Sequence, residues 1–301
     1  MAKYPEPEYD AGRSIAQPGG AADTAYLTDA ALADGDCVRI TSVTVCAGHD
    51  KSGRSEEEDI RFVPGEITAL VGPTGAGKSR FLYDIESLAS HDTPSGRQIL
   101  LNGRVPDAEE RFALHGRLVA QLTQNMNFVL DMPVREFVRM HAESRKAADP
   151  AEVTARVITA ANELAGEAFA PEAQLTQLSG GQSRALMIAD AALLSFSPIL
   201  LIDEIENAGV DKRRALELLV RSDKIAVIAT HDPVLALSAH RRLVFGHGAV
   251  RAVQCRSTEE EVLLARLSVV EETFSRIRSQ LRRGEAPTFE DRASGRTRSE
   301  S

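Results

Sequence analysis

The sequence predicts an α/β fold in which helices cover both faces of a parallel sheet. Three nearly continuous apolar runs carry this prediction, at 67–71 (ITALV), 199–202 (ILLI) and 225–229 (IAVIA). Such runs are typical of strands buried on both faces, and helical patterns such as 212–220 separate them. The chain has 301 residues, 43% of them hydrophobic. That length suits one large domain with appendages.

The remaining patterns divide the chain into parts. Alternating β-branched and polar residues at 38–45 predict the first strand, and 118–122 predicts another. Only helical patterns occur in 133–170, which indicates an inserted helical subdomain. We expect a flexible arm over 1–36 (with a short helix at 25–33 as the alternative), an α/β domain over 37–254 whose helical subdomain spans about 127–190, an amphipathic helix over 255–284 and a disordered tail over 285–301.

Charge and composition exclude several function classes. The 35 basic and 44 acidic residues leave a net charge of −9, which argues against a general nucleic-acid binder. Aromatic residues make up 5% of the chain and tryptophan is absent, so base-stacking platforms are not expected. We therefore expect no direct nucleic-acid partner.

Cysteine usage and hydropathy indicate a cytoplasmic protein. The three cysteines, Cys37, Cys46 and Cys255, are too few and too scattered for a disulfide framework. Cys46 and His49 have a metal-ligand spacing, but no second pair follows, so ordinary thiols are favoured. The first 20 residues have no apolar signal region, and no apolar run is long enough to span a bilayer. Membrane association is expected only through a partner.

A phosphate-binding loop, the P-loop, follows the strand at 67–71. Residues 72–79 read GPTGAGKS, which matches G-x-x-x-x-G-K-[ST] between a strand and a helix predicted at 80–88. Glycines let successive backbone N–H groups point inward, and the helix N-terminus adds positive potential. Lys78 supplies a cation to the β- and γ-phosphates, and the Ser79 hydroxyl reaches Mg²⁺. The predicted phosphate-binding residues are Gly72, Pro73, Thr74, Gly75, Ala76, Gly77, Lys78, Ser79 and Arg80.

Two carboxylates end the apolar strand at 199–202. Asp203 and Glu204 lie at the carboxyl edge of the predicted sheet, where ligands of such folds bind. Asp203 is expected to hold Mg²⁺ through water. Glu204 is expected to polarise the attacking water as general base.

A third motif decides the family. Residues 178–182 read LSGGQ, in which Ser179 can cap a helix predicted at 182–194 and Gly180 and Gly181 admit a phosphate close to the backbone. With the two preceding motifs, the sequence from about 38 to 250 resembles an ATP-binding cassette (ABC) ATPase. The resemblance implies a P-loop NTPase with a mostly parallel core sheet, an antiparallel β-subdomain and an inserted α-helical subdomain. It also implies ATP and Mg²⁺ as cofactors.

The resemblance implies roles for further residues. Ser179, Gly180, Gly181 and Gln182 form the signature that contacts the γ-phosphate held by the opposite subunit. Gln124, with Gln121 as the rival, matches the glutamine that senses Mg²⁺ and the attacking water; Ser79, Gln124 and Asp203 then form the Mg²⁺ set. Asp211 matches the loop that communicates across the dimer, and His231 matches the switch histidine at the γ-phosphate.

The sequence departs from the family at the base site. The family usually places an aromatic residue near the end of the first strand to stack on adenine, whereas residues 43–48 read VTVCAG. We therefore expect loose selection between ATP and GTP; tight selection would require another aromatic residue such as Tyr26 or Phe62. Arg80 stands where a small hydroxyl residue is frequent, and we expect its side chain to point along the helix.

Two surfaces have open interpretations. Leu263, Leu267, Val270, Phe274, Ile277 and Leu281 form a heptad seam after a capping box at 257–260. Packing of this seam on its own cassette is favoured over a dimer or partner contact. Phe128, Val129, Leu130 and Met132 either line a groove for a membrane subunit or belong to the subdomain core.

The resemblance implies a head-to-tail pair of cassettes, a homodimer in the simplest case, that closes on two MgATP and reopens after hydrolysis. We expect the pair to power a separate membrane permease. The alternative is an ABC ATPase that remodels or activates a soluble client, such as an enzyme or metallo-cofactor complex.

Overall fold

The computed structural model describes residues 40–114, 116–123, 126–203 and 209–287. The strands are β1 (Val43–Val45), β2 (Ile60–Phe62), β3 (Ile67–Val71), β4 (Ile99–Leu101), β5 (Val119–Leu122), β6 (Ile199–Asp203), β7 (Ile225–Ala229), β8 (Arg241–Gly246) and β9 (Ala249–Cys255). The helices are α1 (Lys78–Glu86), α2 (Ala108–Leu114), α3 (Val134–Ser144), α4 (Pro150–Leu164), α5 (Gly180–Leu193), α6 (Lys212–Arg221), α7 (Pro233–Ser238) and α8 (Thr258–Arg282). The predicted arm and most of the predicted tail lie outside the described residues.

A six-stranded sheet forms the centre of the protein. Its order is β5-β6-β7-β3-β8-β9, and every neighbouring pair is parallel except β8 and β9. The three apolar runs of the sequence become β3, β6 and β7, whose side chains are almost all buried. The parallel α/β prediction is therefore confirmed.

A second, antiparallel sheet of order β2-β1-β4 lies beside the first. Its inward side chains, among them Val43, Phe62 and Ile99, share one buried cluster with Phe81 and Ile85 of α1. This is the β-subdomain that the family resemblance implies. The expected strand at 38–45 begins only at Val43 within the described residues.

Helices cover the other face of the central sheet and build a separate subdomain. Apolar residues of α5, α6 and α7 pack on β3, β6 and β7. Helices α3, α4 and α5 enclose a third core that includes Val138, Val157 and Leu186. Because this core lies between β5 and β6 in the chain, the inserted helical subdomain is confirmed.

The C-terminal helix α8 packs against α7 but leaves most of the predicted seam exposed. Its capping box is present, because the Glu260 amide donates to the Ser257 hydroxyl and the Ser257 amide to the Glu260 carboxylate. The seam, however, is largely exposed: Leu263, Val270, Phe274 and Leu281 are 48%, 50%, 57% and 58% accessible, and Leu267 and Ile277 are half-buried. The favoured packing of α8 on its own cassette is therefore observed, but most of the seam stays exposed.

A buried arginine joins the β-subdomain to α1. Arg97 is fully buried and donates to Glu56 at 2.6 and 2.9 Å and to Asp84 at 2.9 Å. Glu56 also accepts the amide of Val250, at the start of β9. Burial alone would raise the pKa of Glu56, but the hydrogen bonds and charge of Arg97, together with the amides of Val250 and Gly48, hold that pKa below its usual range.

In the described parts of the chain, no helix is long and apolar enough to cross a membrane.

Candidate nucleotide-binding site

The P-loop is a tight turn that only glycine permits at two points. Gly72 has φ +145°, and a Cβ there would lie 2.6 Å from the carbonyl oxygen of Phe245. Gly77 has φ +112°, and a Cβ there would lie 2.7 Å from Cα of Gly248. The loop therefore curls directly over the end of β8 and the β8–β9 turn.

The first helical residue after this turn is Lys78. The helix α1 begins two residues earlier than predicted, and Gly77 is its N-cap without a side-chain bond, so its first amides face the loop. The Lys78 Nζ donates to the carbonyl oxygen of Gly72 at 2.6 Å and lies 3.3 Å from Nε2 of His231. The ammonium is thus folded back over the loop at the place where phosphates would bind.

Sequence reasoning missed the residues that support the P-loop from outside. Gly248 donates its amide to the carbonyl oxygen of Ala76 at 2.8 Å. Lys51 links the β8–β9 turn to the P-loop. Its amide donates to the carbonyl oxygen of His247, and its Nζ donates to the carbonyl oxygen of Gly75. No motif reveals these contacts, since the two supporting segments lie far from the loop in sequence.

The carboxyl ends of β3, β7 and β6 meet at one edge of the sheet. Asp203, the last residue of β6, pairs with Ala229 of β7, and Leu70 of β3 pairs with the same Ala229 from the other side. His231 lies two residues after Ala229, and its ring contacts Lys78. The structure therefore brings together three of the predicted site residues: Lys78, Asp203 and His231. Glu204 follows immediately but lies outside the described residues.

Backbone and side-chain hydrogen bonds shape the turn that carries His231. The Thr230 amide donates to the carbonyl oxygen of Leu70 on β3, and the Asp232 amide donates to the Thr230 hydroxyl. Asp232 in turn caps α7 by accepting the amides of Val234 and Leu235 at 2.9 Å. His231 is exposed between these two anchored residues.

The signature residues begin α5, two residues earlier than predicted. Ser179 is the N-cap, and its hydroxyl accepts the Gln182 amide while the Gln182 side chain accepts the Ser179 amide. The Gln182 side chain also donates to the carbonyl oxygen of Glu167. Ser179 and Gly180 are exposed, and a Cβ at Gly180 would meet nothing within 4 Å. Gly181 is half-buried behind them. The start of α5 is therefore an open surface of backbone amides.

Two of the remaining predicted residues belong to the described part of the chain. Asp211 caps α6 by accepting the Arg214 amide at 3.1 Å, and its own amide donates to Leu164 of the helical subdomain. Gln121 lies inside β5, paired with Leu201. Gln124 lies outside the described residues.

The donor set at the sheet edge fits Mg²⁺. Ser79 is an exposed hydroxyl in the first turn of α1, and Asp203 supplies a carboxylate from β6. Magnesium prefers such oxygen ligands and keeps water and substrate phosphates as the others. Within the described ranges, no three His, Cys, Asp or Glu residues cluster to hold a metal by themselves. The residues present therefore fit an ion shared with a nucleotide.

The base site differs from the family pattern in the structure as well. Phe62 is 1% exposed and packs edge-on to Phe81 in the core, so the suggestion that it contacts a base is wrong. Tyr26 lies outside the described residues. Burial, with a smaller effect of Asp59, raises the pKa of the Cys46 thiol, which keeps it protonated and a poor metal ligand.

Arg80 extends along α1, as expected from its place in the sequence. Its guanidinium lies 5.5 Å from the ring centroid of Tyr83, one helical turn further on. Its side chain is therefore directed at the exposed side of α1.

The apolar segment before α3 is divided between the core and the surface. Phe128 and Met132 pack against the core of the helical subdomain, and the Phe128 ring lies 5.0 Å from that of Phe137. Val129 and Leu130 are 89% and 45% exposed. Two residues thus belong to the core and two remain on the surface.

Comparison with known proteins agrees with this geometry. The family model described as ABC transporter matches residues 57–207. An uncharacterized ABC transporter ATP-binding protein of Methanocaldococcus jannaschii is 46% identical over 255 residues, which cover 84% of this chain and 97% of that protein. The thiamine import ATP-binding protein ThiQ of Brucella suis is 32% identical over 214 residues, covering 67% of this chain and 82% of its own.

Among solved structures, a dimeric ATP-binding cassette in a post-hydrolysis state, bound to ADP and phosphate, matches with a TM-score of 0.53 at 22% identity. The match covers 71% of this chain and 99% of that one, and it supports the fold. The P-loop, the sheet edge with Asp203 and His231, and the sequence relatives agree on one family. The chain belongs to the ABC transporter family, in which it is an ATP-binding cassette that hydrolyses ATP.

Proposed function

We propose that this chain is the ATP-hydrolysing subunit of a membrane transporter and that two copies work as a head-to-tail pair with a separate permease. The observation that carries the proposal is the convergence of Lys78, Asp203 and His231 at one sheet edge, while the amides beginning α5 are exposed elsewhere. The transporter role draws support from relatives whose names describe transport.

The P-loop residues are proposed to bind the nucleotide phosphates. The inward amides of the loop and the first turn of α1 donate to phosphate oxygens, and Lys78 exchanges its bond to the Gly72 carbonyl for the β- and γ-phosphates. Ser79 and Asp203 would hold Mg²⁺, with Gln124 as the third residue of the set. When bound, that ion neutralises charge on the phosphates.

Hydrolysis is proposed to use the residues beside Asp203. Glu204 takes the proton of the attacking water as general base. His231, which already contacts Lys78 at 3.3 Å, is next to the position of the γ-phosphate and orients it. Hydrogen bonds of Thr230 and Asp232 anchor the chain on either side of His231.

The second subunit is proposed to complete each site. The amides at the start of α5 point to solvent, and Gly180 leaves room for a phosphate to approach. A helix N-terminus of this kind favours an anion. The γ-phosphate held by the other copy is that anion, and Asp211 lies in the loop that connects the two sites.

The test is the Glu204→Gln variant. It is expected to bind MgATP but to hydrolyse it on the order of 10²-fold more slowly, because the general base is lost. It should also accumulate as an ATP-dependent dimer on size exclusion, since the closed pair no longer reopens. Glu217→Gln, an exposed change on α6, is the matched control and should behave as wild type. Wild-type turnover together with an unchanged monomer would refute the assignment.

The same trapped variant tests the permease. Affinity purification from membranes solubilised in detergent should recover a protein with several membrane spans in the presence of ATP. Recovery of a water-soluble enzyme instead, with no membrane protein, would replace the transporter role with that of an ATPase acting on a soluble client.

A further inference from the structure

A lysine outside every motif links the C-terminal helix to the turn that carries His231. Lys212 is the first residue of α6 and directly follows Asp211. Its Nζ donates to Asp232 at 2.6 Å and to Glu271 of α8 at 2.5 Å. One ammonium therefore joins α6 to two segments that are 20 and 59 residues away from it in sequence.

The ion pair between Lys212 and Asp232 is largely shielded from water. The side chains of Lys212 and Asp232 are 18% and 16% exposed, so water screens their attraction much less than that of a surface pair. Burial alone would lower the pKa of Lys212, but its hydrogen bonds to Asp232 and Glu271 hold that pKa above its usual range. The lysine therefore remains charged at neutral pH and binds both carboxylates.

The position of the bridge connects it to the nucleotide. Asp232 caps α7 and bonds to Thr230, so it fixes both ends of the turn on which His231 lies. His231 then contacts Lys78 of the P-loop. A continuous set of contacts therefore runs from Glu271 on α8, through Lys212 and Asp232, to the P-loop lysine.

We propose that Lys212 is a positioning residue of the ATPase site, and that through Glu271 it makes the C-terminal helix part of the control of hydrolysis. This rests on the proposed role of His231 in hydrolysis. Without the ammonium, Asp232 would keep a half-buried charge without that partner, and the turn would lose its lateral support. A displacement of His231 by a fraction of an ångström is enough to slow the chemical step.

The test compares Lys212→Met, Lys212→Arg and the exposed neighbour Arg213→Met by steady-state ATPase kinetics and by hydrogen exchange of residues 230–235. Lys212→Met is expected to lower kcat roughly tenfold with little change in KM, because His231 is misplaced after binding. Its amides at Val234 and Leu235 should exchange faster. Lys212→Arg should restore most of kcat, and Arg213→Met should match wild type.

Glu271→Gln tests the part played by α8. Alone it should lower kcat less than Lys212→Met does, and combined with Lys212→Met it should add nothing, because it acts through the same ammonium. Fully additive decreases in kcat would show that Glu271 does not act through Lys212, and would overturn the inference that α8 takes part in the control of hydrolysis.

The possible failures are distinguishable. A lower melting temperature for Lys212→Met with wild-type kcat would reduce Lys212 to a structural residue and overturn the inference while leaving the ATPase assignment intact. A fall in kcat with unchanged exchange in 230–235 would also overturn it. An inactive wild-type protein would contradict the proposed function instead, and the exchange comparison would still support or refute the positioning of the turn.

Discussion

Replacing Arg97 with methionine is expected to destabilise the whole cassette. Methionine approximates the aliphatic part of the side chain but removes a guanidinium that bonds to Glu56 and Asp84 in the interior. The carboxylates left behind are 4% and 0% exposed, so water cannot solvate them. The change therefore strands two buried acids between the β-subdomain and α1.

The expected loss of unfolding free energy is about 3–5 kcal/mol, the usual cost of removing one partner of a buried ion pair. This free-energy loss is at the upper end of single-residue effects, because the contact between the guanidinium and the Phe81 ring is lost as well. The guanidinium lies 5.0 Å from the centroid of that ring. In a domain of this size the loss corresponds to a melting temperature lower by roughly 6–20 °C.

Urea unfolding followed by circular dichroism measures this effect. Arg104→Met is the matched control, because Arg104 also pairs with a glutamate, Glu110, but on the surface, and its side chain is 56% exposed. The control should leave the urea midpoint almost unchanged. Equal midpoints for the Arg97 and Arg104 variants would refute the claim that burial gives the Arg97 pairs their importance.

Acid provides a second readout of the same variant. In wild type the Glu56 pKa is lowered, so its stabilising contribution is present above the pKa of an unfolded glutamate and is lost as pH falls through the folded value. Without Arg97, only the amides of Val250 and Gly48 oppose the effect of burial, so we expect that pKa to rise and protonation to relieve the stranded charge. The stability gap between wild type and variant should therefore narrow from pH 7 to pH 4. A gap that widens on acidification would contradict this reasoning.

Two further predictions concern the nucleotide. Gly77→Ala should abolish ATP binding in a titration with a fluorescent ATP analogue, because the new Cβ would lie 2.7 Å from Cα of Gly248. Gly53→Ala is the control, since Gly53 also has a positive φ but a Cβ there would meet nothing within 4 Å, and this variant should bind ATP normally. ATP binding by Gly77→Ala would refute the geometry described for the P-loop. GTP should compete with ATP within about tenfold, since no aromatic stack near Cys46 discriminates the base. A preference for ATP above roughly a hundredfold exceeds what one stack supplies and would reveal another base contact.

The sequence patterns predicted the bounds of those strands whose ends are determined by neighbouring residues. The apolar runs of β3 and β7 have the predicted bounds, because a glycine or polar residue ends each run. The strand expected from residue 38 begins at Val43 among the described residues, since the side chain of Asn102 accepts the amides of Thr41 and Ser42 in place of a strand partner. Alternation of residue types contains no information about such a distant side chain.

Long-range ion pairs determine how α8 is rotated on the cassette, which the heptad pattern could not predict. The spacing of the seam predicted which residues of α8 share a face, but the rotation of the helix on the cassette is set by Glu260 with Arg242 and Glu271 with Lys212. These pairs span 18 and 59 residues. The same holds at the site, where the motifs identified Lys78 and His231 but not the lysine that supports the turn.

The order of strands in the central sheet has a consequence for synthesis of the protein on the ribosome. The strand β3 ends at Val71, yet its two neighbours are β7 and β8, which begin at Ile225 and Arg241. At about 5–20 residues per second, the P-loop strand therefore waits on the order of 8–30 s for its partners to be translated. During that interval the apolar segment of β3 is present without either of its strand neighbours, and transiently exposed segments of this kind are prone to aggregation. A messenger truncated before codon 225 would yield a chain that carries the complete P-loop sequence but lacks both neighbours of the strand before it.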